Sequence, residues 1–206
     1  MKTIIRLATA AAGLSIALGS MAWAQDAKPV RVRGTIEKVD GNTITAKLRD
    51  GSQATIKLAD TPRITALTKA QLSDIKEGSF IGVTAMPQPD GSQKAIGLHI
   101  FMDAQRGVVA AAHTPWDREP GGTMTNADVT HKVEAVDGQT LTVKYKDGEK
   151  KVIVPPNTPV VRFNPGNKDD LKPGAQFFIV AGTKQDDGTI TAPAINVGRD
   201  GAVPPM

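Results

Sequence analysis

Apolar and polar side chains alternate over most of the chain, and the alternation breaks at short, regular intervals. In the first run Val30, Val32, Gly34 and Ile36 fall on one side, with Arg31, Arg33 and Glu37 on the other. A period of two residues is the signature of a half-buried strand. Asp40-Gly41 ends this run, and Ile44, Ala46 and Leu48 carry the inward face of the next. After Asp50-Gly51 a third run places Ala54, Ile56 and Leu58 inward. Asp-Gly between alternating apolar runs is a strong hairpin signal, and a type I′ turn with both central residues at positive φ accounts for it.

From Thr65 to Ile75 the alternation stops. Ala66, Leu67, Ala70 and Leu72 suit one face of a short helix, with Thr68 as its N-cap. Phe80, Ile81 and Val83 then begin a fourth strand. Pro89-Asp90-Gly91-Ser92 turns it, and Ala95, Ile96, Leu98 and Ile100 form a fifth.

The same order returns 97 residues later, as Asp40 maps to Asp137, Asp50 to Asp147 and Asp90 to Asp187. The second copy has a loop, Asn164 to Asp170, where the first has its helical stretch. Three strands, a short helix and two strands is the element order of the OB-fold, a small five-stranded Greek-key barrel. The sequence therefore predicts an all-β, mainly antiparallel chain of two tandem OB-like barrels, the first with a short helix between strands three and four. An open sandwich in which ten strands share one core stands as the alternative. The expected organisation is repeat 1 at 30–101, a structured connector at 102–128, repeat 2 at 129–198 and a loose tail at 199–206.

The pattern Val32-x-Gly34-x-Ile36-x-x-Val39-Asp40-Gly41-x-Thr43-Ile44-Thr45, followed by Asp50-Gly51, resembles an uncharacterised family of exported bacterial OB-like domains, often found in tandem. The likeness rests on turn and core positions and implies location and architecture, with no catalytic residues to transfer. The second copy departs from the pattern, with His131 in place of Gly34 and Pro155 in place of Leu58.

Composition adds the compartment. Lys2 and Arg6, the short apolar run Leu7 to Leu18, and Ala22-Trp23-Ala24 make residues 1–24 a cleavable signal peptide, which implies a periplasmic protein, with secretion beyond the periplasm left open. A run of about a dozen apolar residues is too short to span a bilayer, which takes roughly 20. The chain has 25 Lys and Arg against 21 Asp and Glu, and losing Lys2 and Arg6 leaves 23 against 21. Both signs are interspersed, so charge does not point to a polyanion partner. With no cysteine there is neither disulfide nor thiolate chemistry.

Candidate chemistry gathers in the connector. Its His113-Thr114-Pro115-Trp116-Asp117-Arg118 run holds the one tryptophan outside residues 1–24. His113, Trp116, Asp117 and Arg118 are the candidate ligand or interaction residues, and packing of Trp116 between barrels is the plainer account. His99, Met102, His113, Met124 and His131 form a second set, since imidazole and thioether together suit copper. The serines after residue 24 (Ser52, Ser73, Ser79 and Ser92) stand in no nucleophile elbow, and no phosphate loop or zinc-hydrolase motif is present. Aromatics at 4% are too few for the stacking platforms of a single-strand nucleic-acid binder. The expected function is a non-enzymatic binding module for an envelope protein or other periplasmic component, or periplasmic copper handling.

Overall fold

The computed structural model describes residues 29–135 and 138–206. Residues 1–24, read as a signal peptide, lie outside them, as do Val136 and Asp137 of the second repeated hairpin. The chain is all-β. Among the described residues twelve strands follow in order: β1 (Val30–Asp40), β2 (Thr43–Leu48), β3 (Gln53–Ala70), β4 (Phe80–Pro87), β5 (Gln93–Ile100), β6 (Ala112–Pro115), β7 (Thr123–Ala135), β8 (Gly138–Tyr145), β9 (Gly148–Val154), β10 (Val160–Pro165), β11 (Gln176–Lys184) and β12 (Ile190–Gly198).

The Asp-Gly signals mark turns as expected, but their geometry differs from the I′ prediction. Asp40 pairs with Thr43, so the first loop is Gly41-Asn42. Positive φ occurs at Gly41 (58°) and not at Asn42, which is the II′ pattern with glycine at the first central position. At Asp50 and Asp90 a three-residue loop ends on a glycine at positive φ, and the carboxylate accepts the amide N–H of Ser52 or Ser92. Asp187 does the same for Thr189. The aspartate acts through its own side chain, which mimics a backbone turn.

The helix expected over Thr65–Ile75 is absent. Thr65 to Ala70 continue β3, and only Leu72–Asp74 forms a single 3-10 turn. Over this stretch β3 pairs antiparallel with β10 and parallel with β12. Thr65, Ala66 and Leu67 are all buried, Ile64 packing into one core and Leu67 into another. A strand covered on both faces loses its alternation, which is why its sequence read as helical.

Strands β12-β11-β1-β2-β3 close into a five-stranded barrel through the β12–β3 pairing. Its core holds Val32, Ile36, Ile44, Ile56, Leu58, Phe177, Ile179 and Ile195. The sheet continues from β3 through β10 to β5, β4, β7, β8 and β9, and β5 also touches β9 at Gln93–Val152 and Lys94–Ile153. Ile81, Val83, Leu98, Ile100, Val129, Leu141 and Val152 fill a separate core there.

The grouping of residues 30–101 as one self-closing barrel is not how the strands pair. Strands β1, β2 and β3 are closed by β11 and β12, while β4 and β5 pair with β7, β9 and β10. The 18-residue β3 carries the chain out of its barrel before β4 begins, so the closing strands come from the other half. The connector is likewise shorter than expected, since Thr123 to Asp128 already belong to β7 and pair with β4. Nor is the tail loose. Ala202, Pro204, Pro205 and Met206 are buried, and Met206 joins Leu67, Phe80, Phe101, Phe163 and Phe178 in a third core between the other two. Its apolar side chains have this cluster to cover, which outweighs the entropy of ordering a short tail.

Candidate functional site: the Trp116 loop on the barrel

Strands β6 and β7 form a hairpin, and Trp116 to Gly122 are its loop, closed by the Trp116 N–H donating to Gly122 O at 2.8 Å. The loop reaches across to the five-stranded barrel. Trp116 meets Phe178 of β11 edge-on, with centroids 6.0 Å apart, while the Arg31 guanidinium of β1 lies 4.0 Å over the indole. Cation–π contact and edge-to-face packing both favour this placement.

Arg33 anchors the arrangement. Its Nη2 donates to Asp117 Oδ1 at 2.7 Å, its Nε donates to the main-chain oxygen of Met206 at 2.9 Å, and its guanidinium lies 4.5 Å over the Phe178 ring. The side chain is only 10% exposed, so these partners replace most of its water. Arg31 Nη1 stands 3.7 Å from the other Asp117 oxygen. Partial burial works against the Asp117 carboxylate, but the Arg33 hydrogen bond and the charges of Arg33 and Arg31 outweigh it and lower its pKa.

Two more guanidinium groups border the loop. Arg118 donates to its neighbour Glu119 at 3.2 Å, yet its Nε is buried with no hydrogen-bond partner. Trp116 Nε1 is buried and unpartnered in the same way. Arg49, exposed in the β2–β3 turn, has no hydrogen bond or ion pair to its side chain among the described residues. Partial desolvation, then the charges of Arg118 and Arg33, lower its pKa against the opposing pull of Glu119 and Asp117. Four arginines thus surround two carboxylates. Of the residues singled out from sequence, Trp116, Asp117 and Arg118 are brought together here. Arg31, Arg33 and Arg49 do not stand out in the sequence, because strand alternation marks all three as outward and says nothing of the loop that reaches them.

His113 points elsewhere. It pairs with Thr125 on β7, its Nδ1 sharing a 2.8 Å hydrogen bond with Thr125 Oγ1, and its ring lies 6.0 Å from Tyr145. Burial, with a smaller contribution from Lys150, lowers its pKa.

The structure does not bring the candidate copper ligands together. His99 is buried in the third core, stacked on Phe163 at 4.9 Å and edge-on to Phe101 at 4.7 Å. Its Nδ1 has no partner, and burial lowers its pKa to about 3. Met124 and Met102 are packing residues of the same core. His131, expected to face inward, is 76% exposed beside Glu77, because a register shift between Val129 and His131 reverses the inward and outward positions of β7. Among the described residues no group of three or more His, Cys, Asp or Glu is placed to hold a metal ion.

Comparison with family models, curated proteins and solved structures finds no match for this chain. Among the described residues no helix is long and apolar enough to cross a membrane.

Proposed function

We propose that this chain is an exported, non-enzymatic binding module that engages a component of the cell envelope through the face made by β1, β2, β11 and the Trp116 loop. The observation that carries the reading is the convergence of Arg31, Arg33, Arg49 and Arg118 on Trp116 and Asp117 at a surface where two barrel strands meet a loop from the neighbouring core. Arginine and tryptophan are the residues that anchor interfaces most often. The same set is poorly suited to catalysis. Its one central carboxylate is paired with two arginines that hold it ionised, which makes it a weak base.

Export rests on the charge, apolar run and small residues of 1–24. On the fold, we read β4, β5, β7, β8 and β9 as a second OB-like barrel, so that the halves of a tandem repeat exchange their last two strands. The short β5–β9 contact and the separate core support this.

The test is capture from an envelope extract by the immobilised full chain, compared with Trp116→Ala. Saturable recovery of a component by the native chain, reduced at least tenfold by Trp116→Ala, is expected. Equal recovery by both would remove the assigned face.

A further inference from the structure

A groove of about 230 Å³ opens on the barrel between β1, β2 and β11. Lys47 and Arg49 line it together with Thr35, Gln176 and Pro204, and no carboxylate does. Two cations with no acid along one wall leave that wall short of negative charge.

The groove meets the loop at Arg49. Trp116 Nε1 and Arg118 Nε are buried in the loop without hydrogen-bond partners, and Arg49 stands exposed on the groove wall. All of these are donors. A guanidinium cannot accept a hydrogen bond, so a ligand that meets Arg49 in the groove must supply the acceptors. The carboxylates already present do not fill this role. Asp117 is committed to Arg33 and Arg31, and Glu119 to Arg118. Around Arg49 the charges of Arg118 and Arg33 work against the guanidinium, and those of Glu119 and Asp117 offset them in part.

A second groove on the barrel differs in its charge. It is larger, about 390 Å³, and is lined by Asp170 and Asp200 as well as Lys172 and Arg199. There Arg199 is neutralised by a bidentate pair with Asp170, Nε to Oδ1 at 2.7 Å and Nη2 to Oδ2 at 2.9 Å. Charge is balanced in that groove and unbalanced in the smaller one.

We propose that the groove between β1, β2 and β11 is a receptor for a phosphate-type oxyanion, with Arg49 as its central ligand and Lys47 and Arg118 flanking. This rests on the reading of the face as a binding surface and names what it recognises. A planar guanidinium meets two oxygens of a phosphate side by side, and a neighbouring ammonium adds charge without that geometry. Arg118 then exchanges its short-range pairing with Glu119 for the incoming anion. The group is supplied either as a free ion or as the headgroup of an anionic lipid.

Calorimetric titration of the full chain with inorganic pyrophosphate at low ionic strength tests the free ion. Co-sedimentation with phosphatidylcholine vesicles, with and without phosphatidylglycerol, tests the headgroup. Saturable binding in either arm is expected. It should weaken at least tenfold in Arg49→Ala and less in Arg49→Lys, which keeps the charge and loses the fork. Binding only to pyrophosphate assigns a free ion, and binding only to phosphatidylglycerol vesicles assigns a headgroup. Binding in neither arm, or binding undiminished in Arg49→Ala, overturns the proposal. Arg49 is exposed in a turn, so its replacement leaves the fold intact, and unchanged thermal unfolding of Arg49→Ala verifies this. Envelope capture that is lost in Trp116→Ala but unaffected by Arg49→Ala would leave the binding face standing while removing the oxyanion.

Discussion

Arg33 and Asp117, 84 residues apart, share a 2.7 Å hydrogen bond that ties β1 to the loop between β6 and β7. The bond joins the five-stranded barrel to the strands that surround the other core. The two partners are not equivalent, since Arg33 is 10% exposed and Asp117 46%.

Replacing Arg33 by Ala should therefore cost more than replacing Asp117. Arg33→Ala removes the bonds to Asp117 and Met206 and the contact with Phe178, and should destabilise by about 2–3 kcal/mol in denaturant unfolding. Asp117→Ala loses a half-exposed partner and should cost about 1 kcal/mol or less. A double-mutant cycle should return a coupling of about 0.5–1 kcal/mol. The folded pKa of Asp117 is lowered, so its contribution is present at neutral pH and is lost as pH falls below the ordinary carboxylate range.

His99 should make stability fall on acidification from a higher pH. Burial lowers its folded pKa to about 3, whereas in the unfolded chain it titrates near the ordinary value of about 6.5. Between these values the unfolded state binds the extra proton, so stability drops as pH falls through the window. The slope is at most about 1.4 kcal/mol per pH unit. His99→Phe keeps an aromatic ring against Phe163 and Phe101 and removes the unpartnered Nδ1. Its unfolding free energy should be flatter between pH 6.5 and the onset of carboxylate titration. A wild-type slope in the variant would refute the assignment.

Gly82 should tolerate no side chain. It pairs with His99 across β4 and β5, and any Cβ there would overlap His99 Nε2. Gly82→Ala should destabilise by about 1–3 kcal/mol. Combining it with His99→Ala should recover part of that loss, read as non-additivity in thermal or denaturant unfolding.

Cutting the chain after Gly107 should not separate its halves. Val108 is 74% exposed, so a protease site inserted there is accessible. The barrel takes β1, β2 and β3 from one fragment and β11 and β12 from the other. The two fragments should co-elute in size-exclusion chromatography and part only in denaturant. Separation under native conditions would contradict the β1–β11 and β4–β7 pairings.

Ending the chain at Gly201 should also be costly. Met206 is 2% exposed and Pro205 lies over Gly97. Losing a buried methionine alone amounts to about 1.5–3 kcal/mol. A fall in Tm of about 3–12 °C is expected for a chain of this size.

Much of the local structure was legible in the chain. Ile44, Ala46, Ile56 and Leu58 face the core as their alternation requires, because side chains on a strand must point to opposite faces. Asp50, Asp90 and Asp187 mark turns because each satisfies its own loop from the side chain. Trp116, Asp117 and Arg118 stood out by residue type. Other readings failed where a distant strand supplied the missing partner. Thr65, Ala66 and Leu67 lost their alternation because the two faces of β3 pack into different cores there, and a single bulge turned His131 outward.

The sequence by itself determined the all-β class, the turns and most inward positions, because these follow from interactions within a few residues. Only the tertiary structure decided which strands close the barrel and which arginines meet Trp116. Strand alternation says which face of a strand is buried and nothing about its neighbours. Arg33, on the outward face of β1, is therefore covered only because Phe178, Asp117 and Met206 arrive from elsewhere in the chain.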